Sequence, residues 1–113
     1  MADHIKIRPA TGTWVVRAGG AVLGESTRAL ELTEVNYPPV IYFPPDDLSM
    51  VFLDPSEIST TCPHKGAARY YDIVAKSGTL KDAAWSYEDP KPEVSQIAGH
   101  IAFYTAQVTV EQV

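Results

Sequence analysis

Ala67-Ala68-Arg69-Tyr70-Tyr71-Asp72-Ile73-Val74-Ala75, then Lys76-Ser77-Gly78, then Thr79-Leu80-Lys81-Asp82-Ala83-Ala84-Trp85-Ser86-Tyr87, is the stretch that decides the fold. Two runs carrying β-branched and aromatic residues flank a Ser77-Gly78 turn signal and read as neighbouring strands, Ala67–Ala75 and Thr79–Tyr87. Side chains of a strand alternate between its faces, so Trp85 and Tyr87 share one side with Ala83, while Ala84 and Ser86 take the other. Trp85 and Tyr87 thus form a wall that runs into the polar turn Glu88-Asp89-Pro90, whose end is expected near solvent. Such a wall serves either as core or as a platform for a flat or cationic ligand.

Outward from this pair, the rest of the chain also reads as strands. Candidates are His4–Arg8, Thr13–Ala18, Ala21–Gly24, Val40–Phe43, Glu57–Thr61, His100–Tyr104 and Gln107–Val113. Gly19-Gly20, between two valine-bearing runs, is a two-residue hairpin signal because both residues accept positive φ. Pro9-Ala10-Thr11-Gly12, Pro44-Pro45-Asp46-Asp47 and Asp89-Pro90-Lys91-Pro92 mark further turns, and nine prolines oppose long helices. Thr27–Glu34 reads as a short helix or, from the alternation of Leu30 and Leu32, as a strand. Asp46–Leu53 reads as about one or two helical turns, with its aspartates near the N-terminus. The expectation is a compact, mainly β, single domain over residues 1–113, with antiparallel sheets and at most short helical turns.

Composition excludes several classes of function. Nine Lys+Arg against fourteen Asp+Glu give a formal charge of −5, which argues against nucleic acid and against an anionic membrane surface as partners. Cys62 is the single cysteine and has no partner for an internal disulfide; Met1-Ala2-Asp3-His4-Ile5-Lys6 lacks the apolar run of a signal peptide. A cytoplasmic location is therefore expected.

Reactive chemistry concentrates in Thr61-Cys62-Pro63-His64-Lys65-Gly66. Cys62 is either a small packed hydrophobe or a thiol activated by a nearby cation. If the segment is extended, His64 shares the side of Cys62 and Lys65 lies on the other, whereas a tight turn at Pro63 and Gly66 brings Lys65 round. One cysteine and three scattered histidines (His4, His64, His100) do not match the spacing of a zinc site, so no metal is expected. The glycine patterns of phosphate and dinucleotide loops are also missing, and no cofactor is expected.

Glu34, Tyr42-Phe43-Pro44, Asp47, the block from Ser59 to Tyr70, Ala83-Ala84-Trp85-Ser86-Tyr87, Pro90, Ile97-Ala98-Gly99 and Ile101-Ala102-Phe103-Tyr104 together resemble a small, mostly bacterial family. That family is known as a domain of unknown function and is sometimes labelled nucleotidyltransferase-like. The resemblance covers nearly the whole chain. It implies a β-tent fold similar to methionine sulfoxide reductase B and to the thalidomide-binding domain of cereblon, in which two sheets meet near one edge and splay apart. The paired Cys-x-x-Cys zinc ligands common among tent folds are missing here, and Cys62 does not match the reductase's catalytic motif. Pro45 stands where family members often carry an arginine. The Gly-Ser signature and carboxylate pair of nucleotidyltransferases are also absent.

Two functions follow. One is a small-molecule-binding module, its catalytic ability unspecified, with Tyr42, Cys62, Lys65, Tyr70, Trp85 and Tyr87 around a pocket for a small acidic or heterocyclic metabolite. Lys65 is then an accessible polar anchor and Trp85 the floor. The other is a structural or interaction module acting through an exposed sheet edge such as Val108–Val113, or through a homo-oligomer contact.

Overall fold

The computed structural model describes residues 4–113. In chain order its strands are β1 (Ile5–Pro9), β2 (Trp14–Ala18), β3 (Ala21–Ser26), β4 (Leu30–Glu34), β5 (Tyr37–Tyr42), β6 (Leu53–Cys62), β7 (Gly66–Ala75), β8 (Gly78–Ser86), β9 (Ile101–Phe103) and β10 (Thr109–Gln112). They pair as three antiparallel sheets, ordered β1-β4-β5, β10-β2-β3 and β6-β7-β8-β9. Helical residues among those described are confined to the 3₁₀ turns Pro45–Asp47, Met50–Phe52 and Pro92–Ile97. The protein is mainly β, and no helix of the described residues is long and apolar enough to cross a membrane.

Local chemistry explains the hairpins. Gly19 and Gly20 take φ of 57° and 80° between β2 and β3, a conformation that matches the right-handed twist of the flanking strands. Between β4 and β5 the same need is met by Asn36, at φ 72°, one of the few side chains that tolerate the left-handed region.

Among the described residues, one backbone bridge joins sheet β1-β4-β5 to sheet β6-β7-β8-β9. Just past β5, the Phe43 amide donates to the Ile101 carbonyl at the start of β9, and the Ile101 amide donates back to Phe43, each at 2.8 Å. Both residues are fully shielded, so these paired backbone groups have no water to turn to. The alternation of β5, β8 and β9 then divides the side chains between two cores. Phe43, Ile101, Phe103 and Ala84 pack with Val16 and Leu23 of the β10-β2-β3 sheet. Tyr42, Ala102 and Tyr87 pack with Leu32, Val94 and Ile97, with Trp85 and Tyr70 beside them.

Several expectations need correction. Of the two readings left open for Thr27–Glu34 the helix falls and the strand holds, over Leu30–Glu34, paired with β1 on one side and β5 on the other. Asp46–Leu53 breaks into two 3₁₀ turns because Leu48 is extended and bridges Gly24 of β3, a tertiary contact that overrides local helical preference. Strand β6 begins at Leu53 rather than Glu57. Ala83 joins the first core and leaves the face of Trp85 and Tyr87, because Asp82 at φ 50° interrupts the alternation where β7 and β8 shift register. The turn Pro92–Ile97, which buries Val94 and Ile97, was not expected from the sequence.

Gly24 is the close approach that lets β3 meet the Pro44–Leu48 segment. A Cβ there would stand 2.4 Å from the Asp47 carbonyl oxygen and 3.0 Å from the Leu48 Cα, both backbone atoms that cannot rotate away. Gly24→Ala is therefore expected to cost roughly 1–3 kcal/mol, the range for overpacking a tight contact. Urea unfolding should show a lower midpoint with an unchanged slope, and an unshifted midpoint would refute the close contact.

Candidate functional site

The segment between β6 and β7 is a turn, and this decides where its chemistry points. Cys62 pairs with Gly66 across the ladder, and the Lys65 amide donates to the Cys62 carbonyl at 3.3 Å. The extended reading is therefore wrong: the turn brings Lys65 round to Cys62, with Nζ 3.7 Å from Sγ. The Lys65 carbonyl accepts from the Lys91 amide at 2.9 Å, which ties the turn to the loop after Tyr87.

Lys65 is not the accessible anchor expected. It is only 9% exposed, and its ammonium donates to Glu34 Oε1 at 2.9 Å. Glu34 reaches it from the end of β4, across the junction between sheets. His4 Nε2 lies 3.6 Å from the other Glu34 oxygen, and the rings of His4 and His64 meet edge to face at 4.5 Å. The result is a largely buried Lys65–Glu34 ion pair whose charges cancel, with half-buried His4 and exposed His64 beside it. Among the described residues, no three His, Cys, Asp or Glu side chains are arranged to hold a metal ion.

Beside the cluster stands the aromatic wall. Trp85 Nε1 donates to the Tyr42 hydroxyl at 3.3 Å, the rings lying perpendicular with centroids 6.4 Å apart. Tyr104 packs at 4.5 Å from Trp85 and stacks on Tyr70, 6.3 Å away and 9° from parallel. The Tyr70 hydroxyl is 2.9 Å from Thr60 Oγ1 and accepts from Tyr104 at 3.4 Å. Burial pushes the Tyr42 phenol up to about 12, partly offset by the Trp85 N–H. Burial, followed by the hydrogen bond to Tyr70, raises Tyr104 to about 12; burial also raises Tyr87, with its phenolic neighbours adding to the effect. At neutral pH these phenols are hydrogen-bonding groups without charge.

Tyr42, Cys62, Lys65, Tyr70, Trp85 and Tyr87 all line one cavity of about 960 Å³. It also takes in Glu34, Tyr104 and Trp14, and exposed Val35 and Tyr37 stand among its lining residues. The volume lies in the range of small-molecule sites, and the lining combines apolar ring faces with a few polar tips.

Residues 6–113 match the family model named NTP_transf_9 and described as a domain of unknown function (DUF427). The chain belongs to this family. No curated protein matches it. Much of the polar cluster and the wall falls in the blocks that carry the family resemblance, including Glu34, Tyr42, Cys62, Lys65, Trp85 and Tyr104 of this DUF427 chain.

Sequence reasoning did not place Glu34, Tyr104 or His4 at the site. The signal for Glu34 was present: read as a strand, Leu30, Leu32 and Glu34 share a face, so a carboxylate on an apolar face calls for a cationic partner. Tyr104 carried no comparable signal, because it lies just past β9 and is held by its amide donating to the Ala83 carbonyl at 2.9 Å.

Burial of the ion pair yields a stability prediction. Lys65→Met is expected to cost roughly 3 kcal/mol, because it strands Glu34 in a poorly solvated place. Glu34→Leu should cost a similar amount by stranding Lys65. The double variant should recover much of the loss, with a coupling of about 1–3 kcal/mol in urea unfolding. Additive losses would contradict a coupled pair.

Proposed function

We propose that the protein binds a small planar metabolite, acidic or heterocyclic, in the cavity between the aromatic wall and the Lys65–Glu34 cluster. The observation that carries this reading is convergence. Side chains from β4, β5, the β6–β7 turn, β7, β8 and the segment after β9 all face one concavity of about 960 Å³. A core without a ligand role would be expected to close over such groups, since protein interiors are packed about as densely as organic crystals. Trp85 and Tyr104 offer ring faces on which a flat molecule can stack, while the polar tips at the other end fix its orientation.

The reading assigns different duties to different residues. Trp85, wedged between Tyr42 and Tyr104, is both floor and structural support. Tyr104 is 40% exposed, so it can be cut back with less damage to the fold. Lys65 orients the polar end while held by Glu34.

The test uses Trp85 as its reporter. The chain has two tryptophans, so Trp14→Phe leaves Trp85 as the single one. A panel of small heterocycles and aromatic acids is screened by thermal shift and by Trp85 fluorescence. A true ligand at about a hundred times its dissociation constant adds roughly 2.7 kcal/mol, a rise of several degrees in Tm, and should also change Trp85 emission. Tyr104→Ala should remove both responses. Hits that stabilise Tyr104→Ala equally, or that leave Trp85 emission unchanged, would place binding elsewhere and defeat the proposal.

A further inference from the structure

The cavity's charges are already matched. Lys65 is held by Glu34 at 2.9 Å, and Glu31, the other carboxylate in the lining, pairs with Arg8 at 2.7 Å. The remaining titratable nitrogens of the lining are His4, which faces Glu34, and His64, which faces His4. An anionic ligand would thus lose its hydration without gaining an unmatched cation, beside a carboxylate already present. A cationic ligand would meet the Lys65 ammonium.

Hydrogen-bond donors, in contrast, are left over. An ammonium carries three N–H groups, and Lys65 directs one to Glu34 and one to Cys62 Sγ. Among the cavity phenols, Tyr104 donates to Tyr70, Tyr70 is also bonded to Thr60, Tyr42 accepts from Trp85 and keeps its own O–H, and Tyr37 is exposed to solvent. Tyr87 enters none of these bonds, although it is only 7% exposed and lines the cavity. Tyr87 lines the cavity together with Tyr42, Cys62, Tyr70 and Tyr104. Ser86 Oγ is the one enclosed side-chain polar atom without a partner among the described residues, so the Tyr87 hydroxyl keeps contact with the cavity's water and is free to meet a ligand acceptor in its place.

We propose that the Tyr87 hydroxyl and the remaining Lys65 proton receive a neutral acceptor, so that the site selects an uncharged planar molecule bearing a carbonyl or a ring nitrogen over a carboxylate of the same shape. This inference rests on the small-molecule reading above and narrows it. The aromatic wall supplies sequence-independent stacking energy, and the two donors decide which flat molecules stay.

Four probes of similar size separate the outcomes in chemical-shift titrations of the ¹⁵N-labelled intact chain: benzamide, benzoate, benzamidinium and indole, the last without a carbonyl or basic ring nitrogen. Benzamide is expected to bind about tenfold or more tightly than benzoate or benzamidinium, a difference worth about 1.4 kcal/mol. Tyr87→Phe, which keeps the ring and its packing, should weaken benzamide by about tenfold and leave indole unchanged. Benzoate or benzamidinium binding as tightly as benzamide would overturn the inference, as would benzamide affinity indifferent to Tyr87→Phe. Indole binding in the cavity while benzamide does not would overturn the inference alone and leave the stacking site standing. Failure of all four to shift resonances around Trp85 would overturn both.

Discussion

Two hydrogen bonds between Phe43 and Ile101 hold the architecture of the site together. Hairpins are cheap to specify locally, and β4–β5 and β7–β8 each have their own turn signals. What no hairpin specifies is how one sheet is set against another. Here the backbone part of that task falls to one antiparallel bridge among the described residues, 2.8 Å in both directions, at two residues shielded from solvent. Buried backbone groups must pair, so separating the sheets there would strand four polar groups. The bridge also fixes the facing of neighbours: Phe43 and Ile101 point into one core, so Tyr42 and Ala102 point into the other.

The site's two halves follow from that arrangement. Glu34 and Tyr42 belong to the β1-β4-β5 sheet, while Lys65 and Trp85 belong to the sheet of β6 to β9 or its connecting turn. The Glu34–Lys65 ion pair and the Tyr42–Trp85 hydrogen bond both cross the junction. Each is a side-chain contact that would be weak on an open surface and matters more here because both partners are largely withdrawn from water. The cavity occupies the space between these crossings, where Tyr104 and Tyr70 extend the aromatic surface outward. In this DUF427 chain the polar chemistry gathers at the sheet junction, Lys65 coming from the β6–β7 turn and Glu34 from the end of β4.

Much of the fold could be read from short-range signals. The Gly19-Gly20 turn, the β7–β8 turn (at Lys76-Ser77, one residue before the expected Ser77-Gly78) and the alternation that puts Trp85 and Tyr87 on one face are local, and they survive in the structure. The errors arise where distant contacts intervene. Asp46–Leu53 is broken by the bridge from Leu48 to Gly24, and Ala83 changes side at the irregularity around Asp82. The six proposed site residues line one cavity, yet the role expected of Lys65 changed, because its burial depends on a carboxylate 31 residues earlier in the chain. Leaving Thr27–Glu34 open between helix and strand concealed that partner; as a strand, its periodicity points Glu34 inward. Tyr104 stayed hidden for a different reason, since its position depends on a backbone bond to Ala83 that no local pattern announces.

The central claim is that one buried bridge welds the sheet carrying Glu34 and Tyr42 to the sheet carrying Trp85. Native-state amide hydrogen exchange tests it most directly. The Phe43 and Ile101 amides should be among the slowest in the chain, opening with the same free energy as the β7–β8 ladder and falling in step with it as denaturant is added. Rapid exchange of both amides while β7 and β8 stay protected would mean that the two sheets separate on their own. The bridge would then not be what builds the site.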